Sequence, residues 1–244
     1  MQTLDFTDIF SRSSALLGPE AMTRLAKARI ILFGVGGVGS WCAEALVRTG
    51  LTHLTIVDPD DVCASNINRQ LPATTRTVGQ PKVDVLRQHL LDINPDADIT
   101  ARHEAFHADN ADSFGLDNYD FLIDAIDAVP DKVALILAAD ALPRTTLLSS
   151  MGAARRLDPT RVRIAEFGKV AGCPLARALR QHFKRLHHFP KRKFACVFSD
   201  EPPIGDNQIK GSLMTVTAAF GLALASLIIK ESINNTIHYD NTSN

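Results

Sequence analysis

The sequence predicts an α/β fold with a Rossmann-like, doubly wound and mostly parallel sheet, a smaller C-terminal section and a final apolar helix. Short runs rich in Ile, Leu and Val alternate with segments of helical periodicity, which is typical of βαβ units. A glycine-rich turn also stands between the first predicted strand and the first predicted helix. The 244 residues suffice for one large α/β domain with a substantial core.

The predicted elements can be placed in order along the chain. RIILF (29–33) predicts the first strand, a helix follows from about Val38 to Thr49, and HLTIV (53–57) predicts the second strand. Apolar residues at helical spacing predict another helix that begins near Pro81. The further predicted strands are 97–101, 119–125 and 145–150, and the further predicted helices are 132–141, 174–186 and 213–229. A less regular section begins at VRIAEF (162–167).

Composition argues against several classes of protein. The 26 basic and 27 acidic residues nearly cancel, so the total charge indicates no polyanionic partner. The N-terminus lacks the basic-then-apolar order of a signal peptide, which favours a cytoplasmic protein. The sequence has no C-x-x-C pair, which argues against zinc and favours a reducing compartment. The four scattered cysteines are Cys42, Cys63, Cys173 and Cys196.

The segment from Leu213 to Ile229 carries no charge and lies at the lower length limit of a bilayer span. Thr215, Thr217 and Ser226 make it less apolar than most spans. A buried helix of a soluble α/β protein gives the same pattern, and we favour that interpretation. We therefore expect no integral membrane insertion, while peripheral membrane association stays open.

The glycine turn GVGGVG (34–39) predicts a nucleotide site. Glycines let the backbone approach a phosphate, and the following helix N-terminus offers N–H groups to the anion. Asp58 ends the next strand about 20 residues further on, where a carboxylate can accept hydrogen bonds from ribose hydroxyls. Glycines that serve only a tight turn are the alternative, which this spacing disfavours. The glycines are Gly34, Gly36, Gly37 and Gly39.

Polar residues beyond Asp58 favour a triphosphate over a nicotinamide cofactor. Arg69 offers a planar, permanently charged fork for phosphate oxygens, and Asn66 and Gln70 add neutral donors. Lys82 stands at a helix start, where a cation is poorly placed unless an anion lies near. A nicotinamide cofactor has only a pyrophosphate, which the glycine turn already satisfies.

Two carboxylates, Asp124 and Asp127, follow a predicted buried strand, at the sheet edge where ligands of open α/β folds bind. One carboxylate at this position can hold a Mg²⁺ ion that bridges phosphates. The sequence therefore predicts ATP and Mg²⁺ as ligands, and no zinc.

These motifs, in this order and spacing, resemble the ubiquitin-activating-enzyme-like adenylating superfamily, whose members use ATP to adenylate a carboxylate. The resemblance implies that Asp58 binds ribose, that Arg69 and Lys82 grip phosphates as catalytic residues, and that the catalytic Asp127 holds Mg²⁺. The motifs that carry the resemblance are GVGGVG, the Asp58-x-Asp60 pair, NINRQ, Lys82 and DAID. The implied nucleotide-binding set also includes Asp60, Asn66 and Gln70.

The segment FSRSSALLG (10–18) also resembles the N-terminal segment of that superfamily. In the resemblance, Arg12 matches an arginine that reaches into the ATP site of the partner subunit. A catalytic Arg12 and a homodimer are therefore implied.

Longer stretches resemble, more narrowly, the tRNA threonylcarbamoyladenosine dehydratases, which use ATP to cyclise the threonylcarbamoyl side chain of an adenosine beside the anticodon. Gly-Ser-Trp directly after the glycine turn is the motif that best distinguishes this subfamily from the rest of the superfamily. The resemblance implies tRNA as substrate and a sulfur-transfer protein as a possible partner. A cysteine-bearing insertion found in some members is short here (200–211), so it predicts no catalytic thiol. The similar stretches are 39–50, 93–100, 124–136 and 151–164.

The segment 167–199 contains no Asp or Glu but eight Lys or Arg residues. In its predicted helix, Leu175, Leu179, Phe183 and Leu186 recur at helical spacing and are expected to face the core. Together with the resemblance, the outward residues predict a tRNA surface, with an ordinary solvated basic helix as the alternative. They are Arg177, Arg180, Lys184 and Arg185.

We thus expect a single domain over 1–244, with a nucleotide-binding core of about 1–160 and a substrate and tRNA section of 161–244. The predicted activity is ATP-dependent dehydration of threonylcarbamoyladenosine in tRNA, through adenylation of the threonyl carboxylate. The first alternative is an adenylyltransferase that activates the C-terminus of a small sulfur-carrier protein. An NAD-dependent oxidoreductase and a non-catalytic nucleotide-binding protein are lower alternatives.

Overall fold

A computed structural model describes residues 6–205 and 211–234 of the chain. Its strands are β1 (Arg29–Phe33), β2 (His53–Val57), β3 (Asp98–Arg102), β4 (Phe121–Asp124), β5 (Thr146–Ser150), β6 (Val162–Glu166) and β7 (Ala195–Ser199). The α-helices are α1 (Phe6–Ile9), α2 (Ser11–Leu17), α3 (Pro19–Lys27), α4 (Gly39–Thr49), α5 (Lys82–Ile93), α6 (Val129–Asp140), α7 (Pro174–Arg185) and α8 (Met214–Asn234).

The seven strands form one sheet in the order β3-β2-β1-β4-β5-β7-β6. All neighbouring pairs are parallel except β6 and β7, which run antiparallel. The chain moves outward from β1 through β2 to β3 and then returns to β4 on the other side of β1. This reversal is the topological switch point of a doubly wound sheet, so the predicted fold class is confirmed. Strands β6 and β7, from the section after residue 161, continue the same sheet.

Side chains alternate along β1 between two apolar layers, as the strand period of two requires. Ile30 and Leu32 face a cluster that includes buried residues of α4, α5 and α8. Ile31 and Phe33 face a second cluster that includes buried residues of α6 and α7. All four side chains are at most 1% exposed, so both faces of the sheet are covered. Near-continuous apolar runs are the expected pattern of such doubly covered strands.

Helix α8 lies against α4 and the sheet. Between Met214 and Ile233 it is long and apolar enough to cross a membrane by length and composition, and half of its most apolar window is buried inside the protein. Buried residues recur along it at Val216, Phe220 and Leu224. A Cβ at Gly221 would lie 2.4 Å from the Val38 carbonyl oxygen, so α8 packs against the start of α4 too closely for any side chain at this position. This packing supports the core-helix interpretation.

Element boundaries differ from the predictions by a few residues. Strand β4 begins at Phe121 rather than at 119, and the Asp120 carboxylate just before it accepts a hydrogen bond from the Arg29 backbone N–H. Helix α8 continues to Asn234, past the predicted end at Ile229. Leu186 follows the end of α7 and is 50% exposed, so the prediction that it faces the core is wrong.

Candidate nucleotide-binding site

A cavity of about 740 Å³ opens at the carboxyl ends of β1, β2 and β4, on the switch point of the sheet. Its volume lies in the usual range for sites that hold a small ligand. One side is lined by the glycine turn, the end of β2, and the segment after β4. The predicted site residues that border the cavity are Gly34, Gly36, Gly37, Asp58, Asp60, Arg69, Gln70, Lys82 and Asp127.

The glycine turn is required by close backbone contacts. Gly34 has φ +87°, and a Cβ there would lie 2.7 Å from the Ala125 carbonyl oxygen. A Cβ at Gly39 would lie 1.8 Å from the Gly34 carbonyl oxygen, although Gly39 does not border the cavity. Side chains at these two positions would displace the turn from α4 and β4. The turn therefore presents bare backbone to the cavity next to the N-terminus of α4, which favours an anion.

Asp58 is fixed at the end of β2 by backbone donors. Its Oδ2 accepts a hydrogen bond from the Val35 N–H at 2.7 Å, and its Oδ1 accepts one from the Asp60 N–H at 2.9 Å. Burial raises the pKa of the Asp58 carboxyl, and the nearby Lys82 ammonium opposes that rise. Each carboxylate oxygen can accept a further hydrogen bond. The arrangement suits recognition of hydroxyl groups at the cavity edge.

Lys82, at the start of α5, is 4% exposed and forms ion pairs with the two aspartates. Its Nζ lies 2.7 Å from Asp60 Oδ2 and 3.9 Å from Asp58 Oδ1. These carboxylates offset the unfavourable placement of a cation at a helix N-terminus. The ammonium is thus held beside the cavity before any ligand arrives.

The loop that carries Arg69 and Gln70 is held by two residues whose roles the sequence did not reveal. Trp41 donates a hydrogen bond from Nε1 to the Arg69 carbonyl oxygen at 3.0 Å. Ser40 Oγ donates a hydrogen bond to the Gly36 carbonyl oxygen at 2.6 Å and accepts one from the Leu71 N–H at 3.3 Å. The Gly-Ser-Trp stretch therefore ties this loop to the glycine turn.

Asn66 does not border the cavity. Its Oδ1 accepts a hydrogen bond from the Cys63 N–H at 3.0 Å, and the residue is 9% exposed. The side chain thus caps a short 3-10 turn within the loop. The structure gives Asn66 this local contact and does not bring it to the cavity with the other predicted residues.

The two carboxylates after β4 have different environments. Asp124 is fully buried, with Lys132 Nζ at 2.8 Å and a hydrogen bond from Ser149 Oγ at 2.7 Å. Asp127 is exposed and borders the cavity. Of the pair, only Asp127 can face a ligand there. Among residues 6–205 and 211–234, no group of three or more His, Cys, Asp or Glu side chains could hold a metal by itself.

The opposite wall of the cavity was not predicted from the sequence. It follows the end of β5 through Ser150, Met151 and Gly152 to Arg156, and also includes Leu175 from α7. In the sequence, the stretch 151–164 stands out only through a family resemblance. Its position at the end of a parallel strand is the signal that could have identified it.

Helix α7 exposes three of its four predicted basic residues. Arg177, Lys184 and Arg185 are exposed, whereas Arg180 donates from Nη2 to the carbonyl oxygens of Phe167 and Val170 at 2.7 Å and 2.6 Å. The Arg180 guanidinium also lies 5.1 Å from the Phe167 ring centroid. The prediction that Arg180 points largely outward is therefore wrong, because backbone carbonyl groups hold its guanidinium against the fold.

Arg12 lies on α2, is exposed, and is not among the residues that line the cavity. Within one copy of the chain, the described residues do not bring Arg12 together with Arg69, Lys82 and Asp127.

The switch-point cavity, the glycine turn and the anchored carboxylate define a nucleotide-binding protein of the doubly wound α/β class. Residues 10–243 match the ThiF family, and the chain belongs to that family.

Two curated relatives that cover most of the chain carry the same enzyme name. The tRNA threonylcarbamoyladenosine dehydratase of Haemophilus influenzae is 36% identical over 226 residues, which cover 90% of this chain and 86% of that protein. The enzyme of the same name from Bacillus subtilis is 39% identical over 196 residues, which cover 80% of this chain and 76% of that protein.

A solved structure extends the likeness to the whole fold. The Escherichia coli tRNA N6-threonylcarbamoyladenosine dehydratase, TcdA, in complex with ATP superposes with a TM-score of 0.85 at 34% identity. The match covers 94% of this chain and 95% of that chain.

Proposed function

We propose that this chain is an ATP-dependent tRNA threonylcarbamoyladenosine dehydratase. The observation that carries the proposal is the switch-point cavity, where the bare glycine turn, the fixed Asp58 and the cations Arg69 and Lys82 meet. Similarity to dehydratases over most of the chain, including one solved with ATP, supports the same activity. The roles below follow from where each side chain lies.

ATP binding is assigned to the glycine-turn side of the cavity. Asp58 and Asp60 accept hydrogen bonds from the ribose, and the backbone of Gly34, Gly36 and Gly37 faces the phosphates. Trp41 holds the loop that carries Arg69 and Gln70. From this loop Gln70 offers its amide group to the nucleotide, and Arg69 offers a positive charge. Lys82 keeps its position beside both aspartates. Asn66 supports the loop rather than the nucleotide.

Asp127 is the residue that would hold a Mg²⁺ ion beside bound ATP. Mg²⁺ is commonly held by one or two carboxylates together with phosphates and water, so an exposed carboxylate at the cavity edge is an adequate donor. Asp124 is paired with Lys132 and unsuited to the role. When bound, the ion would neutralise phosphate charge and favour nucleotidyl transfer.

The proposed reaction proceeds in two steps at this site. A threonyl carboxylate oxygen attacks the α-phosphorus, and the bond to pyrophosphate breaks with its electron pair on the leaving group. Arg69 and Lys82 stabilise that negative charge. A carbamoyl nitrogen of the same side chain then attacks the acyl carbon and loses its proton, and AMP departs with the former carboxylate oxygen. Because both reacting groups belong to one side chain, the second step has a high effective molarity.

The exposed basic residues of α7 are proposed to bind the tRNA backbone. Arg177, Lys184 and Arg185 lie in a segment without acidic residues, so their charges add to one positive surface. Arg180 is excluded from this surface because its guanidinium is used inside the fold. The section 161–244 thus contributes a substrate surface to the single domain.

The proposal extends to assembly. Since Arg12 does not line the cavity of its own copy among the described residues, it is proposed to act in the site of another copy, which makes a homodimer the proposed active species. A sulfur-transfer protein is a further possible partner, carried by the family resemblance alone. We also propose cytoplasmic action, since tRNA modification takes place there; peripheral membrane contact and the absence of zinc stay predictions.

The test is turnover with defined acceptors. Purified protein with ATP and Mg²⁺ is expected to form AMP only with tRNA that carries threonylcarbamoyladenosine, and the nucleoside is expected to lose one water by mass. Controls are tRNA without the modification, NAD in place of ATP, and a carrier protein with a C-terminal Gly-Gly. Pyrophosphate exchange that depends on the carrier and not on the modified tRNA would replace the proposal with the adenylyltransferase alternative.

A further inference from the structure

The wall opposite the glycine turn contains a buried arginine that the proposed ATP contacts do not use. Arg156 is 2% exposed and borders the cavity. It follows the end of β5 by a short segment, whereas Arg69 and Lys82 belong to the loop and helix after β2. The cavity therefore has a cation on each of two walls.

Arg156 lacks the partner that a buried charge normally has. Among the residues that the structure describes, its Nε has no hydrogen-bond acceptor, and its Nη1 donates to the Arg155 carbonyl oxygen at 3.4 Å. Within the described ranges, 6–205 and 211–234, no carboxylate oxygen lies within 4 Å of this guanidinium. Glu201 is the acidic neighbour, but its oxygens accept hydrogen bonds from the backbone N–H groups of Leu157 and Asp158.

The guanidinium remains charged in this place. Burial lowers the pKa of Arg156, yet arginine stays protonated in proteins. A buried charge without a counter-ion is strongly unfavourable. The Glu201 charge acts on the guanidinium without a hydrogen bond to it, so a ligand is the group that can supply an acceptor to Nε.

The side chains around Arg156 indicate which kind of anion can bind to it. Met151 and Leu175 provide apolar surface on the same side, and Gly152 and Ala153 leave room beside them. A phosphate group would instead be drawn to the glycine turn with Arg69 and Lys82. A ligand with one carboxylate and a short aliphatic part fits this wall. The Arg156 guanidinium can bind the carboxylate through two hydrogen bonds, and the small and apolar side chains can contact the aliphatic part.

We propose that Arg156 binds the threonyl carboxylate of the modified adenosine and is a substrate-binding residue of the reaction. This inference rests on the proposed function and adds the residue that selects the acceptor. The guanidinium holds the carboxylate oxygen that does not attack ATP. That oxygen becomes the carbonyl oxygen of the acyl adenylate, and negative charge develops on it when the carbamoyl nitrogen attacks. Arg156 therefore also stabilises the second transition state.

The experiment compares two tRNA ligands that differ only at the carboxyl group, one with free threonylcarbamoyladenosine and one with its methyl ester. Affinities are measured with a non-hydrolysable ATP analogue present. The wild-type protein is expected to prefer the free carboxylate by about tenfold or more, the usual size of a charge-assisted pair. Arg156→Gln is expected to reduce this ratio toward one and to leave affinity for the ATP analogue and the ester within about twofold.

Two comparisons make the result specific. Arg161→Gln changes a partly exposed arginine that is paired with Asp200 at 2.7 Å, and it should keep the wild-type ratio. Arg156→Lys retains the charge without the fork, so it should recover part of the preference and of kcat/KM. A folded Arg156→Gln protein with the wild-type ratio would overturn the inference.

A measurement on the wild-type protein covers the case in which Arg156 variants do not fold. A crystal structure with AMP and the modified nucleoside should place the carboxylate on the Arg156 guanidinium; a carboxylate on another group overturns the assignment. Failure of the proposed function is distinguishable, because the wild-type protein would then neither prefer the free carboxylate nor form AMP with modified tRNA.

Discussion

Asp124 and Asp127 stand in one short segment after β4, yet their surroundings give them opposite roles. The Asp124 carboxylate accepts from Ser149 and pairs with Lys132, and both members of that pair are fully buried. Lys132 also donates to the Ile126 carbonyl oxygen at 3.0 Å, so the pair fixes the backbone that leads to Asp127. One aspartate is structural, and the other is available to a ligand.

Exchange of each aspartate for asparagine should separate stability from activity. Asp127→Asn is expected to abolish AMP formation and to leave the melting temperature nearly unchanged, because the side chain is exposed at the cavity edge. Asp124→Asn leaves Lys132 as an uncompensated buried charge, which costs about 3–5 kcal/mol. That destabilisation lowers Tm by about 2–4 °C for each kcal/mol.

Thermal unfolding and AMP release on both variants check this contrast. Retained turnover in Asp127→Asn would remove that residue from the catalytic set. A stable Asp124→Asn protein would show that the buried pair does not support the fold as described.

At the scale of elements, α4 and α5 are joined by an ion pair between a histidine and a glutamate. His89 Nε2 lies 2.8 Å from Glu44 Oε2, and Arg48 Nε donates to the other carboxylate oxygen of Glu44. The hydrogen bond with Glu44 raises the pKa of His89 above 6.5. The partner histidine and arginine lower the pKa of Glu44 despite its burial.

The contact between these helices should weaken as pH rises. A raised folded-state pKa means that the His89 contribution is fully present below the unfolded pKa of 6.5 and is lost as pH rises through the folded pKa. The Glu44 contribution is lost at the other end, as pH falls below its usual 4.5. The side chain of His89 is 40% exposed, so solvent screening keeps the whole effect below about 1 kcal/mol.

His89→Gln tests this dependence. The difference in Tm between wild type and variant should be larger at about pH 6 than at about pH 8.5. An equal difference at both values would show that the imidazolium contributes nothing to the α4–α5 contact.

Helix α7 carries the proposed tRNA surface. Lys184→Glu with Arg185→Glu should weaken tRNA binding and flatten its salt dependence by about 0.7–0.9 in slope for each phosphate that is no longer neutralised. ATP affinity should not change, because neither residue borders the cavity. Arg180 is omitted, since its replacement would disturb the fold.

Lys27→Glu on α3 is the matched control, because it reverses an exposed charge on another helix. Binding titrations at several salt concentrations give both affinity and slope. If the double reversal on α7 behaves like Lys27→Glu, then α7 is not the tRNA surface.

For the whole molecule, the position of Arg12 away from the cavity leads to a test of assembly. If Arg12 completes the site of a partner copy, a mixture of Arg12→Ala and Asp127→Ala proteins should recover activity, since one site in each mixed two-fold dimer then keeps both residues. Each variant alone should be inactive. Mixing Asp127→Ala with Arg69→Ala offers the control for residues that lie in the same cavity.

Subunit exchange is verified with differently tagged proteins before activity is measured. In the control mixture, one site of each mixed dimer lacks Asp127 and the other lacks Arg69, so activity should stay low. Recovery in the control and not in the Arg12 mixture would contradict a role for Arg12 across the interface.

The order of strands and helices, the glycine turn and the position of Asp58 could be predicted from the sequence, because each depends on local backbone geometry or on short periodic patterns. β1 and β2 occupy the predicted residues, and Gly34 has the positive φ that such a turn needs. A βαβ order together with a glycine turn leaves few topologies for the sheet. These features determined the fold class and one side of the cavity.

The orientation of polar side chains was decided only by the tertiary structure. Asp124 is removed from the ligand by Lys132 and Ser149, and Arg180 is held by carbonyl groups of a preceding segment. Among the described residues Arg156 has no carboxylate partner, because the oxygens of the nearby Glu201 accept hydrogen bonds from backbone N–H groups instead. Periodicity cannot predict such contacts, since the energy of a buried polar group depends on partners distant in sequence.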